Sequence, residues 1–533
     1  MSIVIDLAPK SKKELVEMIN VMASCIEEKD AHIEQLEGKM KWLMERLHLS
    51  QARQYGKSSE KTIPSQQMTL NLFNEAEYRM DKEPEPQPDE KETITYERKK
   101  KKPGRKELPP DLPIVTVEHR LPEEELGCDR CDGTKHEMST IERYELEFRP
   151  ARARIIKHVY YVYGCRKCEK EGTEVPIVVA PGPKALIPKS FASPSSLAYV
   201  MTMKYVDGLP LYRQEKHLER MGVTLGRSVL SNWMLKGADY LDCIYGVMKQ
   251  VLLEREVLAA DETTVQVLKE PDRPAETKSY MWLYRTGGDS DPPIVLFEYQ
   301  QTRSSDHPVE FLKNFHGYLQ VDGYSGYEAV PGVILVGCFS HARRKFDEAI
   351  KALPPDLRKK PSKAKEGLDT INALFLIERK LKGCSPQERK EQRNLLSRPV
   401  MDSFRLWLDS LVNEVPPKST LGAAITYCRN QWPKLMRFLE DGRLELDNNR
   451  AERSIKPFVM GRKAWLFANT PRGARASAII YSIVETVKEN KLNPFEYLVH
   501  VFEQMPNVDL KNPEVLQKLL PWNVVLPEKS PTQ

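Results

Sequence analysis

The chain has 533 residues, 40% hydrophobic and 29% charged, with a formal net charge of +5. At roughly 100–200 residues per domain that length allows about three or four domains, and no apolar run approaches the ~18 residues of a membrane span. Met1–Lys10 carries Asp6 within its short apolar stretch and no cleavage-like site, so export is not expected. The nine cysteines include two Cys-x-x-Cys pairs, which in a chain without an export signal read as metal binding plus buried thiols rather than a disulfide framework.

Residues 12–50 are expected to form one long helix. Leu15, Ile19, Met22, Ile26, Ile33, Leu36, Met40, Leu43 and Leu47 recur in alternating steps of four and three, with Lys29 filling one gap. That is the seam of a coiled coil, so a homo-oligomer is expected. Residues 51–110 read as a linker: Glu83–Glu90 is rich in proline and acid, and Lys99–Lys102 is a basic run. The run is either a phosphate-binding arm or a solvated flexible one.

Residues 111–175 hold Cys128, Cys131, Cys165 and Cys168, with strands expected at Tyr144–Phe148 and Ile155–Tyr163. Two thiolate pairs joined by strands suit one tetrahedral Zn2+, structural because four protein ligands leave no open position. In residues 185–250, Leu211–Met221 and Arg227–Leu241 read as helices around a glycine-containing turn. This fits a helix-turn-helix that would present Arg227, Asn232 and Lys236 to DNA, and equally an ordinary helical hairpin.

Beyond residue 250 the pattern changes. Strands are expected at Val257–Asp261 continuing through Val265–Leu268, at Ser279–Tyr284 and at Ile294–Tyr299. A helix follows at Asp306–Phe315, then strands at Gly317–Val321 and Val333–Phe339 and a helix from His341. Three strands, helix, strand, short link, strand, helix is the element order of a ribonuclease H-like fold. That order would bring Asp261, on the first strand, beside Asp322, at the end of the fourth. Two close carboxylates repel and call for a cation; Mg2+ favours a few carboxylates, and paired ions serve phosphoryl transfer. A third carboxylate is expected from Glu445–Arg453, where Asp447 or Asn448 caps a helix containing Glu452. Arg450, Arg453, Lys456, Arg462 and Lys463 crowd around it, as a phosphate-gripping site or a salt-bridged surface would. Trp465, beside Leu466 and Phe467, is expected in the core rather than stacked on a base.

Several segments together resemble the transposases of the insertion sequence sixty-six family. They are Asp261-Glu-Thr, Val321-Asp-Gly-Tyr-Ser-Gly-Tyr327, Ser340-His-Ala-Arg-Arg-Lys-Phe346, Asp447-Asn-Asn-Arg-Ala-Glu-Arg453, Gly461-Arg-Lys-Ala-Trp-Leu-Phe467 and Tyr481-Ser-Ile-Val484. Tyr55-Gly-Lys-Ser-Ser-Glu-Lys61, Leu72-Phe-Asn-Glu-Ala76 and the cysteine pairs extend the likeness over nearly the whole chain. Phe339 departs from the tryptophan-alanine expected before Ser340-His341, away from any metal position.

The resemblance implies a DDE polynucleotidyl transferase. Asp261, Asp322 and Glu452 would hold two Mg2+ (or Mn2+) ions, and the four cysteines one structural Zn2+. His341, Arg343, Arg344, Lys345, Arg450, Arg453, Arg462 and Lys463 are candidates for DNA backbone contact. Water would cleave the transposon end to free a 3′-OH, which would then attack target DNA. The implied fold is multidomain α+β. A coiled coil (12–50), linker (51–110), zinc-binding domain (111–175) and helical DNA-binding region (185–250) precede a ribonuclease H-like core (251–346). A helical insertion (347–440), a core helix carrying the third carboxylate (441–490) and a helical tail (491–533) follow. Implied partners are transposon-end and target DNA and small accessory proteins of the same element, with no membrane. The implied location is the bacterial cytoplasm, with the protein on the nucleoid when bound to DNA. Two alternatives share these features: a DNA-binding regulator, and a ribonuclease H-like nuclease without strand transfer.

Overall fold

The computed structural model describes residues 12–55, 153–159, 161–164, 177–179, 184–288 and 291–526. Cys128, Cys131, Cys165, Cys168 and the basic run at 99–102 lie outside them.

Helix α1 (Lys12–Tyr55) is continuous and runs five residues beyond the expected end at 50. Its seam residues Met22, Ile26, Ile33, Leu36, Met40, Leu43 and Leu47 are exposed. Strand β1 (Val162–Gly164) pairs antiparallel with β2 (Ile177–Val179). The strand expected from Ile155 is shorter than that: residues 153–159 belong to no strand, and Ile155 and Ile156 are exposed. Alternating apolar residues make a strand only where a neighbour accepts their backbone bonds, and that pairing begins at Val162.

Three helices follow: α2 (Pro194–Tyr205), α3 (Leu211–Arg220) and α4 (Arg227–Leu253). Gly222 has φ +80° in the turn between α3 and α4, a conformation other side chains rarely adopt. α4 runs twelve residues beyond Leu241, because Ile244, Met248 and Leu252 continue its buried stripe.

A mixed five-stranded sheet comes next, in the order β5-β4-β3-β6-β7. Its strands are β3 (Val257–Gln266), β4 (Lys278–Thr286), β5 (Val295–Gln300), β6 (Gly317–Gln320) and β7 (Val333–Val336). β3, β4 and β5 form an antiparallel meander, while β6 and β7 run parallel to β3. The short helix α5 (Asp306–Phe311) connects β5 to β6 and stops four residues before the expected Phe315. β7 is also shorter than expected, because Phe339 and Ser340 already belong to helix α6 (Phe339–Ala352).

Helices α7 (Lys363–Lys380), α8 (Pro386–Ser410) and α9 (Thr420–Met436) join α6 around a second apolar core containing Phe346, Ile371, Leu374, Met401, Phe404 and Cys428. α8 opens on a Ser385–Glu388 capping box, and Pro399 lies inside it. Arg393 is fully buried between α7 and the segment that follows α9. It pairs with Glu378 (2.7 Å) and donates to the carbonyls of Phe438 (2.8 Å), Asp441 (3.1 Å) and Leu444 (2.8 Å), which fixes the return path toward helix α10 (Asn449–Trp465).

The chain closes through α11 (Pro471–Glu489), α12 (Pro494–Gln504) and α13 (Pro513–Leu519). α11 is buried on every side from Ala476 to Val487. It covers β5, the outer strand of the sheet. Ser482 Oγ accepts the Phe297 N–H (2.7 Å), while Thr486 Oγ1 accepts the N–H of Val295 and donates to its carbonyl (both 3.0 Å). An open strand edge is thereby satisfied internally. No helix among the described residues is long and apolar enough to cross a membrane.

Candidate active site

The central strand β3 carries Asp261, and its parallel register with β6 pairs Leu258 with Leu319 and Ala259 with Gln320. Continued two residues further, the same register sets Asp261 level with Asp322. Each aspartate is held by a nearby backbone amide: Asp261 Oδ1 accepts from Glu262 N–H and Asp322 Oδ1 from Tyr324 N–H, both at 2.8 Å.

The third carboxylate comes from the first turn of α10, where Glu452 is buried. Its position is set by the segment just before the helix. Gln320 Nε2, at the end of β6, donates to the carbonyls of Glu445 (2.7 Å) and Asp447 (2.6 Å). Asn448 Nδ2 donates to the carbonyl of Ala260 (2.8 Å), one residue before Asp261, and Asn448 N–H donates to Cys338 Sγ (3.2 Å). The Phe339 N–H donates to the Leu446 carbonyl (3.0 Å) and Ser340 Oγ to Asp447 (3.2 Å). The N-cap position of α10 falls to Asn448, whose side chain makes no capping bond; Asp447, one residue earlier, accepts from Asn449 N–H at 3.0 Å. The start of α10 is thus tied to β6, to β3 and to α6, the three elements that surround the aspartates.

Electrostatically the cluster favours a cation. Burial first, then the charges of Glu262, Glu452 and Asp322, hold the Asp261 carboxyl well above its ordinary range. Glu262 is also raised, by burial and by Asp322, against the opposing pull of Tyr327 and Arg303. Its carboxylate accepts from Tyr327 Oη (2.7 Å) and Arg303 Nε (2.9 Å). Arg344 lies 3.9 Å from Glu452.

His341 Nδ1 also lies 3.9 Å from Glu452 and has no hydrogen-bond partner. Burial and the neighbouring Arg344 and Lys345 lower its pKa to about 4, so the ring is neutral near pH 7. The Cys338 Sγ, a His341 nitrogen and a Glu452 oxygen lie within 4.8 Å of one another. Burial pushes the Cys338 thiol well up, and a protonated thiol is a poor ligand. The available donors are therefore carboxylate oxygens and a neutral imidazole. Hard oxygen donors suit Mg2+ or Mn2+.

The expected DNA-contacting residues fall into different settings. Arg453 and Lys463 are exposed on α10. Arg344 and Lys345 are half-buried on α6, with Lys345 Nζ 5.1 Å from the Tyr427 ring centre. Arg450 is turned to Glu445 (2.6 Å) and the Gly287 carbonyl (3.1 Å). Arg462 donates to the hydroxyls of Thr263 (3.2 Å) and Thr264 (3.1 Å) on β3. Arg343 departs from the expectation: it is fully buried, its guanidinium 5.1 Å from the Phe375 ring centre, because its turn of α6 faces the second core. It has no surface to offer DNA.

On α4, Arg227, Asn232 and Lys236 are all exposed. Asn232 and Lys236, four residues apart, share one side of the helix; Arg227 lies on another, paired with Glu215 at 3.1 Å. Trp465 is half-buried and packs edge-on against Phe458, whereas Leu466 and Phe467 are exposed. Gln320 and Cys338 carried no signal in the sequence as parts of the site. Glu262 and Ser340 were legible only as members of motifs, and Asn448 only as a motif member and helix-cap candidate.

A family model described as Transposase IS66 family matches residues 189–476, more than half the chain. Models described as Transposase C of IS166 homeodomain, zinc-finger binding domain of transposase IS66 and IS66 C-terminal element match residues 42–117, 125–169 and 482–522. The zinc-finger match contains Cys128, Cys131, Cys165 and Cys168. Relatives include the uncharacterized protein y4jD of Sinorhizobium fredii, 30% identical over 78% of this chain and 81% of that protein. The uncharacterized protein y4hP of the same organism is 29% identical over 79% of this chain and 77% of its own length. With its core, zinc-finger and C-terminal segments all matched in order, the chain belongs to the IS66 family of transposases.

Proposed function

We propose that the protein binds the ends of its own mobile element, cleaves them and transfers the freed 3′ ends to target DNA, with Asp261, Asp322 and Glu452 as the catalytic carboxylates. The observation that carries this reading is the electrostatic proximity of Glu452 and Asp322 to Asp261, with Asp261 on β3, Asp322 just past the end of the adjacent parallel β6, and Glu452 on a helix pinned to both strands. The sheet order β5-β4-β3-β6-β7, with a meander followed by two parallel strands, supports a ribonuclease H-like core with a helical insertion.

The three carboxylates would hold two Mg2+ or Mn2+ ions. When bound, such ions activate the attacking oxygen and stabilise the leaving one in phosphoryl transfer. The chain's own contribution is positional. Gln320 and Asn448 hold the start of α10 so that Glu452 faces the aspartates. Neutral His341 and half-buried Arg344 line the Glu452 side, where Arg344 would meet a phosphate. Arg453 and Lys463 on α10, Lys345 on α6, and Asn232 and Lys236 on α4 would track the DNA backbone.

The four cysteines would bind one structural Zn2+, and α1 would join copies through its exposed seam. Small accessory proteins of the element would complete the assembly, and the working location is the bacterial cytoplasm and nucleoid. The test is cleavage and strand transfer by purified protein on labelled element-end DNA in Mg2+. Binding without either step by the protein and its accessory partners would favour a regulator.

A further inference from the structure

The turn that ends α10 departs from ordinary backbone geometry. Leu466 has φ +66° and ψ −51°, and the Phe467 N–H donates to the Trp465 carbonyl at 2.8 Å. Together these define a γ-turn of the rare, strained form, centred on a leucine. The turn is clamped on both sides. Leu466 N–H still donates to Arg462 (2.7 Å), while Ala468 exchanges backbone bonds with Gln266 (2.9 Å) and Leu268 (3.0 Å) on the continuation of β3.

The clamped turn displays apolar side chains to solvent: Leu466 is 64% exposed and Phe467 43%. Strained backbone of this kind clusters at functional sites. The surroundings are basic. Lys463 is exposed one turn back, and Arg462 reaches across to Thr263 and Thr264.

The turn is also in line with the carboxylates. Glu452 and Lys463 are eleven residues apart, three turns of α10, and so lie along the same side of the helix about 16 Å apart. Asp261 and Gln266 are five residues apart on β3, about 17 Å. A DNA strand advances about 3.4 Å per nucleotide, so the apolar tip lies about five nucleotides from a phosphodiester seated at the carboxylates.

We propose that Leu466 and Phe467 form a wedge that inserts against the bases of the DNA end and unstacks them about five nucleotides from the cleaved bond, with Lys463 holding the adjoining phosphate. Apolar wedges flanked by cations are a general way to open a base step. The inference rests on the proposed DNA-processing reading.

The test uses full-length protein on end DNA. Binding and permanganate reactivity of thymines are read without divalent ion, and cleavage is read with Mg2+. Leu466→Gly removes the tip while suiting the positive φ, and Phe467→Gln removes the second apolar group. Wild type should make thymines near the fifth position reactive, and the variants should bind the duplex but leave them unreactive. The variants should cleave intact duplex about ten- to a hundredfold more slowly, the equivalent of unstacking one step. A substrate carrying mismatches at that step should restore their rate.

Unreactive thymines with wild type, or variants cleaving intact duplex at the wild-type rate, would overturn the wedge while leaving the transposase reading intact. A loss of cleavage that mismatches do not rescue, accompanied by a change in oligomeric mass, would make the turn a contact between copies and also overturn it. Wild type that binds no end DNA would overturn both.

Discussion

Asp261 on β3 and Asp322, two residues past the end of β6, sit at the level to which the parallel pairing of Ala259 with Gln320 extends. That relationship places two like charges side by side in a largely buried setting, and Glu452 adds a third. The local cost of this arrangement makes the stability of the protein depend on cations.

The Asp261 carboxyl is raised by burial and by its acidic neighbours. A raised carboxyl binds its proton more tightly in the folded than in the unfolded chain. Its favourable contribution is therefore present below the unfolded value near ~3.9 and is lost as pH rises through the folded one. At neutral pH the ionised group opposes folding. Asp261→Asn should raise the melting temperature in EDTA by about 2 °C or more, on the order of 1 kcal/mol. Mg2+ should raise the melting point of wild type more than that of the variant. Thermal melts of both proteins in EDTA and in Mg2+ check this, and a variant that melts lower in EDTA contradicts it.

Gln320 tests the positioning of Glu452 without touching a carboxylate. Gln320→Ala leaves the buried carbonyls of Glu445 and Asp447 without its donors, at roughly 1–3 kcal/mol for each group. Denaturant unfolding should show that loss. Cleavage should fall at constant DNA affinity, because the proposed phosphate contacts of Arg453 and Lys463 on α10 are unaltered. Unchanged cleavage in a destabilised variant would show that Glu452 does not depend on this anchor.

Much of this architecture was legible in the sequence. Alternation and apolar runs located all five strands of the sheet, and the placement of Asp261 on the first strand and Asp322 at the end of the fourth pointed to a carboxylate pair. Boundaries were harder. α4 outran its expected end because its buried stripe continues past Cys243, and Pro399 sits inside a helix whose capped start is fourteen residues earlier. Burial of single side chains was not legible at all. Arg343 and Arg344 are adjacent and alike in sequence, yet one turn of α6 sends Arg343 into the second core and leaves Arg344 facing Glu452. The anchors Gln320 and Asn448 act through backbone carbonyls distant in sequence, which no local pattern reveals.

The contrast between those arginines gives a salt-dependence prediction. Arg453→Ala and Lys463→Ala should each weaken end binding and lower the slope of log affinity against log salt by about one. Arg343→Met should leave the slope unchanged and instead reduce stability. Fluorescence anisotropy across a KCl series reads both. A reduced slope for Arg343→Met would place that side chain at the DNA after all.

The exposed seam of α1 predicts self-association. Leu36→Asp combined with Leu43→Asp should lower the mass measured by light scattering, since two charges would enter an apolar seam. Lys29→Ile should tighten the assembly by removing a polar residue from the seam. Identical masses for all three proteins would remove α1 as the oligomerisation element.

The most direct test of the central claim is Mg2+-dependent processing of DNA carrying the inverted repeats of the element, with wild type compared with Asp322→Asn and Glu452→Gln in the presence of the accessory proteins. Wild type should nick the end and join the freed 3′-OH to a second duplex. Each variant should bind the same DNA with both steps reduced by about a thousandfold or more, the several kcal/mol that ion-assisted charge stabilisation supplies. Cleavage by either variant at the wild-type rate would show that the three carboxylates are not the catalytic centre.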